Sequence, residues 1–126
     1  LAVMERDRFH ELVDEALAGL PPELSERLQN VAVMVADWPT REQMGKVGIK
    51  RRQDLLGLYE GVPLTNRGHG YTMVLPDQIT IFQKPIEMHC RSEDRAIVRQ
   101  IQRTVQHEIA HYFGISDARL RDMGRY

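Results

Sequence analysis

Eleven residues, His107-Glu108-Ile109-Ala110-His111-Tyr112-Phe113-Gly114-Ile115-Ser116-Asp117, combine the side chains that metal-assisted hydrolysis requires. On a helix, residues four apart lie one turn apart on the same face, so His107 and His111 present two imidazoles that can grip one cation. Glu108 is offset from His107 by about 100° round the helix, too far to share the same coordination point easily. It can instead reach a water beside the ion. This divides the labour as hydrolysis needs: the cation polarises a carbonyl and acidifies a water, while the carboxylate takes the proton and passes it to the leaving group. Imidazoles suit Zn2+, which keeps one of its four positions open when catalytic and therefore needs a third protein ligand. Gly114 can adopt the positive φ that ends a helix and turns the chain back, and Asp117, three residues on, offers a carboxylate to the same ion.

These residues need a helix beneath them, and the preceding stretch supplies one. Ile97, Ile101, Val105, Ile109 and Phe113 recur every four residues, with Val98 and Tyr112 on the same side, which predicts a helix of about five turns. Ser92 reads as its N-cap, Glu93 and Asp94 place negative charge on its first turn, and Gly114 ends it. His107 and His111 fall to one side of the apolar stripe, at the rim of a core. A short helix carrying Leu120 follows Ser116. At the other end of the chain, Phe9, Leu12, Val13, Ala16 and Leu17 predict a helix over residues 4–18, stopped by Gly19 and Pro21-Pro22. Residues 23–29 make a short second helix.

Val31–Ala36 is a continuous valine-rich apolar run and reads as a strand buried on both faces. Residues 55–59, 71–74 and 79–82 are the other strand candidates. The polar, glycine-containing stretch 40–54 reads as loop. Its basic run, Lys50-Arg51-Arg52 with Lys46 nearby, reads as solvated. No linker divides the chain, so residues 1–126 are expected to form a single domain.

The spacing H-E-x-x-H-x-x-G-x-x-D resembles the extended signature of metzincin-type metallopeptidases, in its rarer aspartate form. More of the chain is similar to a family of small bacterial proteins described as possible zinc metallopeptidases, or minimal zincins. The stretches Phe9-His10-Glu11-Leu12-Val13, Leu55-Leu56-Gly57-Leu58-Tyr59-Glu60-Gly61-Val62-Pro63-Leu64 and Leu75-Pro76-Asp77-Gln78-Ile79 carry that likeness. The resemblance implies an α/β (α+β) zincin-like fold, in which a small twisted mixed sheet packs against an N-terminal helix and a long C-terminal active-site helix. It also implies His107, His111 and Asp117 as zinc ligands, Glu108 as catalytic acid/base, and residues 71–75 as a strand that pairs with extended substrate. Met123 comes too soon after Asp117 to match the methionine turn of larger metzincins and reads as an ordinary methionine.

Composition narrows the function classes. Seventeen basic and eighteen acidic residues leave a formal net charge of -1, which excludes an electrostatic case for nucleic acid or an anionic membrane surface. No apolar run approaches the roughly 20 residues of a membrane helix. A single cysteine, Cys90, forbids an internal disulfide and suits a reducing compartment, so the expected location is cytoplasmic. Cys90 reads as an inert thiol, and His10, His69 and His89 as surface histidines. Tyr71, Tyr112, Tyr126 and His69 are the donors available for a developing oxyanion, with ordinary packing the simpler role for each tyrosine.

The expected partner is a peptide or protein substrate; no feature assigns an oligomeric state. Two other readings stand beside the peptidase. One is a catalytically silent zincin-like module that binds metal or a protein partner. The other is a non-haem iron enzyme with two histidines and a carboxylate, which gives Glu108 no role.

Overall fold

The computed structural model of the chain describes residues 4–61 and 76–122, without the side chain of Asp117. Helix α1 (Arg6–Ala18) and the short α2 (Pro22–Arg27) lead into strand β1 (Val31–Ala36). Helix α3 (Arg41–Val47) and a single 3-10 turn (Arg52–Asp54) come before strand β2 (Gly57–Glu60). Strand β3 (Asp77–Phe82) runs directly into α4 (Gln83–Cys90), followed by α5 (Asp94–Phe113) and α6 (Asp117–Asp122). The fold is α+β with a small mixed sheet, ordered β1-β3-β2. β1 pairs with β3 in parallel, Val33 opposite Ile79, and β2 pairs with β3 antiparallel, Tyr59 opposite Ile79.

The core forms where α1 and α5 meet the sheet. The predicted stripes face inward over most of their length: Phe9, Leu12, Val13 and Ala16 of α1 and Ile97, Ile101, Val105 and Ile109 of α5 are buried, whereas Tyr112 and Phe113, read as the end of the α5 stripe, are exposed. They close on Ile79 and Ile81 of the central strand, with Leu24 and Leu120 completing the cluster. Ala16 lets the two helices approach, and the four-residue repeat of β-branched side chains on α5 fills the groove between α1 and the sheet.

Several expectations from the sequence need correction. β1 is not buried on both faces. Its valines pack partly against the core, but Met34, which alternation places on the opposite face from Val33 and Val35, is 47% exposed. Residues 40–54 are not loop throughout. Thr40 and Gln43 form a reciprocal capping box that starts α3. α3 buries none of its residues, so it has no apolar stripe to be read. Ser92 does not cap α5; it sits at φ 58 in the turn after α4, next to Arg91 at φ 51. Glu93 is the cap, accepting from the Arg95 and Ala96 amides at 3.2 and 2.9 Å. Helix α4 escapes the periodicity because Pro85 and two buried polar residues, Gln83 and Glu87, occupy its inner face. A proline in the first turn removes no helical hydrogen bond. The second strand begins at Gly57 rather than residue 55, and the expected strand at 71–74 lies outside the described residues. Among the described residues, no helix is long and apolar enough to cross a membrane.

Candidate active site

The last turns of α5 and the outer side of β2 build one site. With Ile101, Val105 and Ile109 committed to the core, the helical repeat leaves His107 and His111 exposed and Glu108 half-buried. Gly114 ends the helix at φ 70, as its position predicted. The chain then forms α6, held by fully buried Leu120 and by an Arg119–Glu23 ion pair at 2.8 Å.

β2 lies close against α5 because Gly57 has no side chain. A Cβ there would stand 2.6 Å from the Thr104 Cγ2 methyl. The strand register then sets the next contact. Phe82 N–H donates to the Leu56 carbonyl, so alternation along the antiparallel pair turns the amides of Leu58 and Glu60 toward β3 and that of Tyr59 away. The Tyr59 N–H therefore points at α5, where it donates to Glu108 Oε1 at 2.9 Å. Aromatic contacts lock the same junction. The Tyr59 ring stacks on Tyr112 with centroids 4.0 Å apart and meets Phe113 edge-on, while its hydroxyl donates to Asp77 Oδ2 at 2.8 Å. Burial, then the Asp77 hydrogen bond, holds the Tyr59 phenol well above its usual pKa. Burial likewise pushes the Glu108 carboxyl above the ordinary carboxylate range, partly offset by the Tyr59 amide and by His111 and His107.

An open cleft of about 710 Å3 runs along β2, and His107, Glu108, His111 and Tyr112 line one part of it. The sequence-predicted residues His107, Glu108 and His111 are thus brought together. Asp117 opens α6, and its side chain lies outside the described part of the structure. Among the described residues, no three His, Cys, Asp or Glu side chains are grouped to hold a metal. The donor chemistry of the described residues fits zinc: two solvent-facing imidazoles one turn apart beside the cleft.

Other singled-out residues fall elsewhere. His10 and His89 are exposed on α1 and α4, and His69, Tyr71, Met123 and Tyr126 lie outside the described residues. The Cys90 Sγ approaches the Ala96 carbonyl at 3.5 Å, and burial raises its pKa, which disfavours a reactive thiolate. The basic run is exposed, as expected; Arg52 also stacks on Trp38 at 3.9 Å, and Lys46 lines the cleft, paired with Glu60. Sequence reasoning missed Tyr59, Lys46 and Glu60 as site residues. Tyr59 and Glu60 fall in a stretch that carries the family likeness, but their roles are not legible there, because Tyr59 acts through its backbone and all three acquire their neighbours only on folding.

The fold and the cleft define a class: α+β proteins whose longest helix carries two imidazoles and an acid beside a cleft walled by a strand. A family model described as zincin-like metallopeptidase matches residues 28–125, and the chain belongs to that family. Membership points to a metallopeptidase-type function and to a metal, typically zinc. A search of curated proteins found no match.

Proposed function

We propose that the chain is a zinc-dependent metallopeptidase in which Glu108 serves as general base and then general acid, and in which His107, His111 and Asp117 hold the ion. The position of Glu108 carries the reading: a half-buried carboxylate in an open cleft, beside two imidazoles, with one oxygen already fixed by a backbone amide. Zinc, when bound, would supply Lewis acidity toward a carbonyl and lower the pKa of a water. With Oε1 engaged by the Tyr59 amide, Oε2 is the oxygen assigned to take the proton from the attacking water and deliver it to the leaving amine. Burial raises the proton affinity of this carboxyl, and a cation held by the neighbouring imidazoles would act in the opposite direction. A purely structural ion site would have no use for such a group.

The substrate is an extended peptide or a particular protein, and the single cysteine suits a cytoplasmic setting. Metal analysis and peptide-library cleavage on the wild type and on Glu108→Ala test the reading. The expected result is unchanged zinc content in the variant with cleavage reduced by roughly 10²–10⁴. Wild-type protein that holds zinc yet cleaves no peptide overturns the peptidase reading. Asp117→Ala is expected to weaken zinc retention, and unchanged affinity would overturn its assignment as a ligand.

A further inference from the structure

The cleft contains a charged pair that proton transfer does not use. Lys46 Nζ donates to Glu60 Oε2 at 2.6 Å, and Gln43 Nε2 donates to Glu60 Oε1 at 3.1 Å. Gln43 also closes the capping box of α3, so one side chain ties the start of that helix to the end of β2. α3 buries no residue of its own; among the described residues, Met44 packs against the small cluster of Leu55, Leu58 and Phe82. Glu60 is therefore the polar anchor that holds α3 against the strand. Together they form a wall of the cleft on which Lys46 and Glu60 are flanked by Val47, Ile49, Leu55 and Leu58.

Two opposite charges in contact present almost no net charge to a ligand. A charged side chain entering here must compete for one member of the pair, and parting them leaves the Glu60 carboxylate, whose side chain is only 22% exposed against 50% for Lys46, as the partly desolvated charge without its partner. An apolar side chain leaves the pair intact and withdraws its own surface from water. We infer that the α3–β2 wall is a specificity pocket for an uncharged apolar side chain of an extended peptide, with the Lys46–Glu60 pair as the determinant that turns charged side chains away. Naming a peptide as the occupant rests on the peptidase reading; the selection itself rests on residues outside the proton-transfer machinery.

Removing one partner unmasks the other. Lys46→Met leaves the Glu60 carboxylate facing the ligand and favours a basic side chain. Glu60→Gln leaves the Lys46 ammonium and favours an acidic one. Loss of folding cannot imitate shifts of opposite sign.

The probes are short fluorescein-labelled peptides differing by one residue (leucine, lysine or glutamate) placed in turn along the sequence. Their binding to the zinc-loaded Glu108→Gln chain is read by anisotropy, and their cleavage by the active chain as kcat/KM. The leucine peptide is expected to bind best, by about tenfold. Lys46→Met is expected to raise the relative affinity of the lysine peptide, and Glu60→Gln that of the glutamate peptide, each by about tenfold. A ranking that neither variant alters, equal weakening of all three peptides, or no measurable binding overturns the inference. If the binding pattern appears but the active chain cleaves nothing, the specificity pocket stands and the peptidase reading falls. If cleavage occurs with a ranking insensitive to both variants, the reverse holds.

Discussion

Substituting Gly57 by alanine tests how the site is assembled. The backbone at Gly57 is not left-handed, so conformational freedom does not explain the glycine; space does. A Cβ would lie 2.6 Å from Thr104 Cγ2 and 3.3 Å from the Thr80 carbonyl, whereas carbon atoms settle about 3.5–4.0 Å apart. Roughly 1 Å must be found. Thr104 cannot easily supply it. It is buried in α5, its χ1 is stiff because the side chain is β-branched, and its Oγ1 accepts from Gln100 Nε2 at 3.1 Å. β2 must therefore lift from the helix, and overpacking of this kind costs about 1–3 kcal/mol.

The same displacement lengthens the hydrogen bond from the Tyr59 N–H to Glu108, so the hydrolysis proposed for this site should fall as well. Urea denaturation gives the stability loss, and kcat/KM on a cleaved peptide gives the second effect. Thr104→Ser removes the offending methyl and keeps the hydroxyl, so the Gly57→Ala/Thr104→Ser double variant should recover most of both losses. A Gly57→Ala chain within about 0.5 kcal/mol of wild type, or a double variant that recovers nothing, would refute this account of the junction.

Two further outcomes follow from local geometry. Gly114→Ala places a side chain at φ 70 with nothing among the described residues within 4 Å; the expected cost is the backbone strain, about 1 kcal/mol by urea denaturation, and Gly114→Asn should cost less. Glu60 is held below its ordinary pKa, first by the Lys46 hydrogen bond, so its contribution to stability is complete above the ordinary glutamate value of about 4.3. That contribution disappears as pH falls through the lower folded value. The stability difference between wild type and Glu60→Gln should therefore be largest near neutral pH and vanish in acid, and a difference that grows on acidification would contradict the pairing.

Local rules were enough for much of the site. The four-residue repeat from Ile97 to Ile109 orients α5, although Phe113, read as its last member, is exposed; the i, i+4 spacing puts His107 and His111 on one face, and Gly114 marks the turn, because helical geometry depends only on near neighbours. The stripe on α1 was legible for the same reason. Elements with little apolar periodicity were not. α3 is stabilised by a capping box and a surface anchor, and α4 buries Gln83 and Glu87, so hydrophobic spacing alone misreads both. The exposure of Met34 depended on which face of β1 the helices came to cover, a matter of packing rather than of its own residues.

The placing of Glu108 lay furthest beyond the sequence. Its residue type and helical position are written there, but the amide that fixes it belongs to Tyr59, 49 residues away. That amide is aimed by the strand register and brought within reach by the missing side chain of Gly57. Lys46 and Glu60 likewise meet only because α3 folds against β2. The sequence by itself determined which groups could do the chemistry; tertiary packing decided which of them are held still, which are neutralised, and what lines the cleft between them.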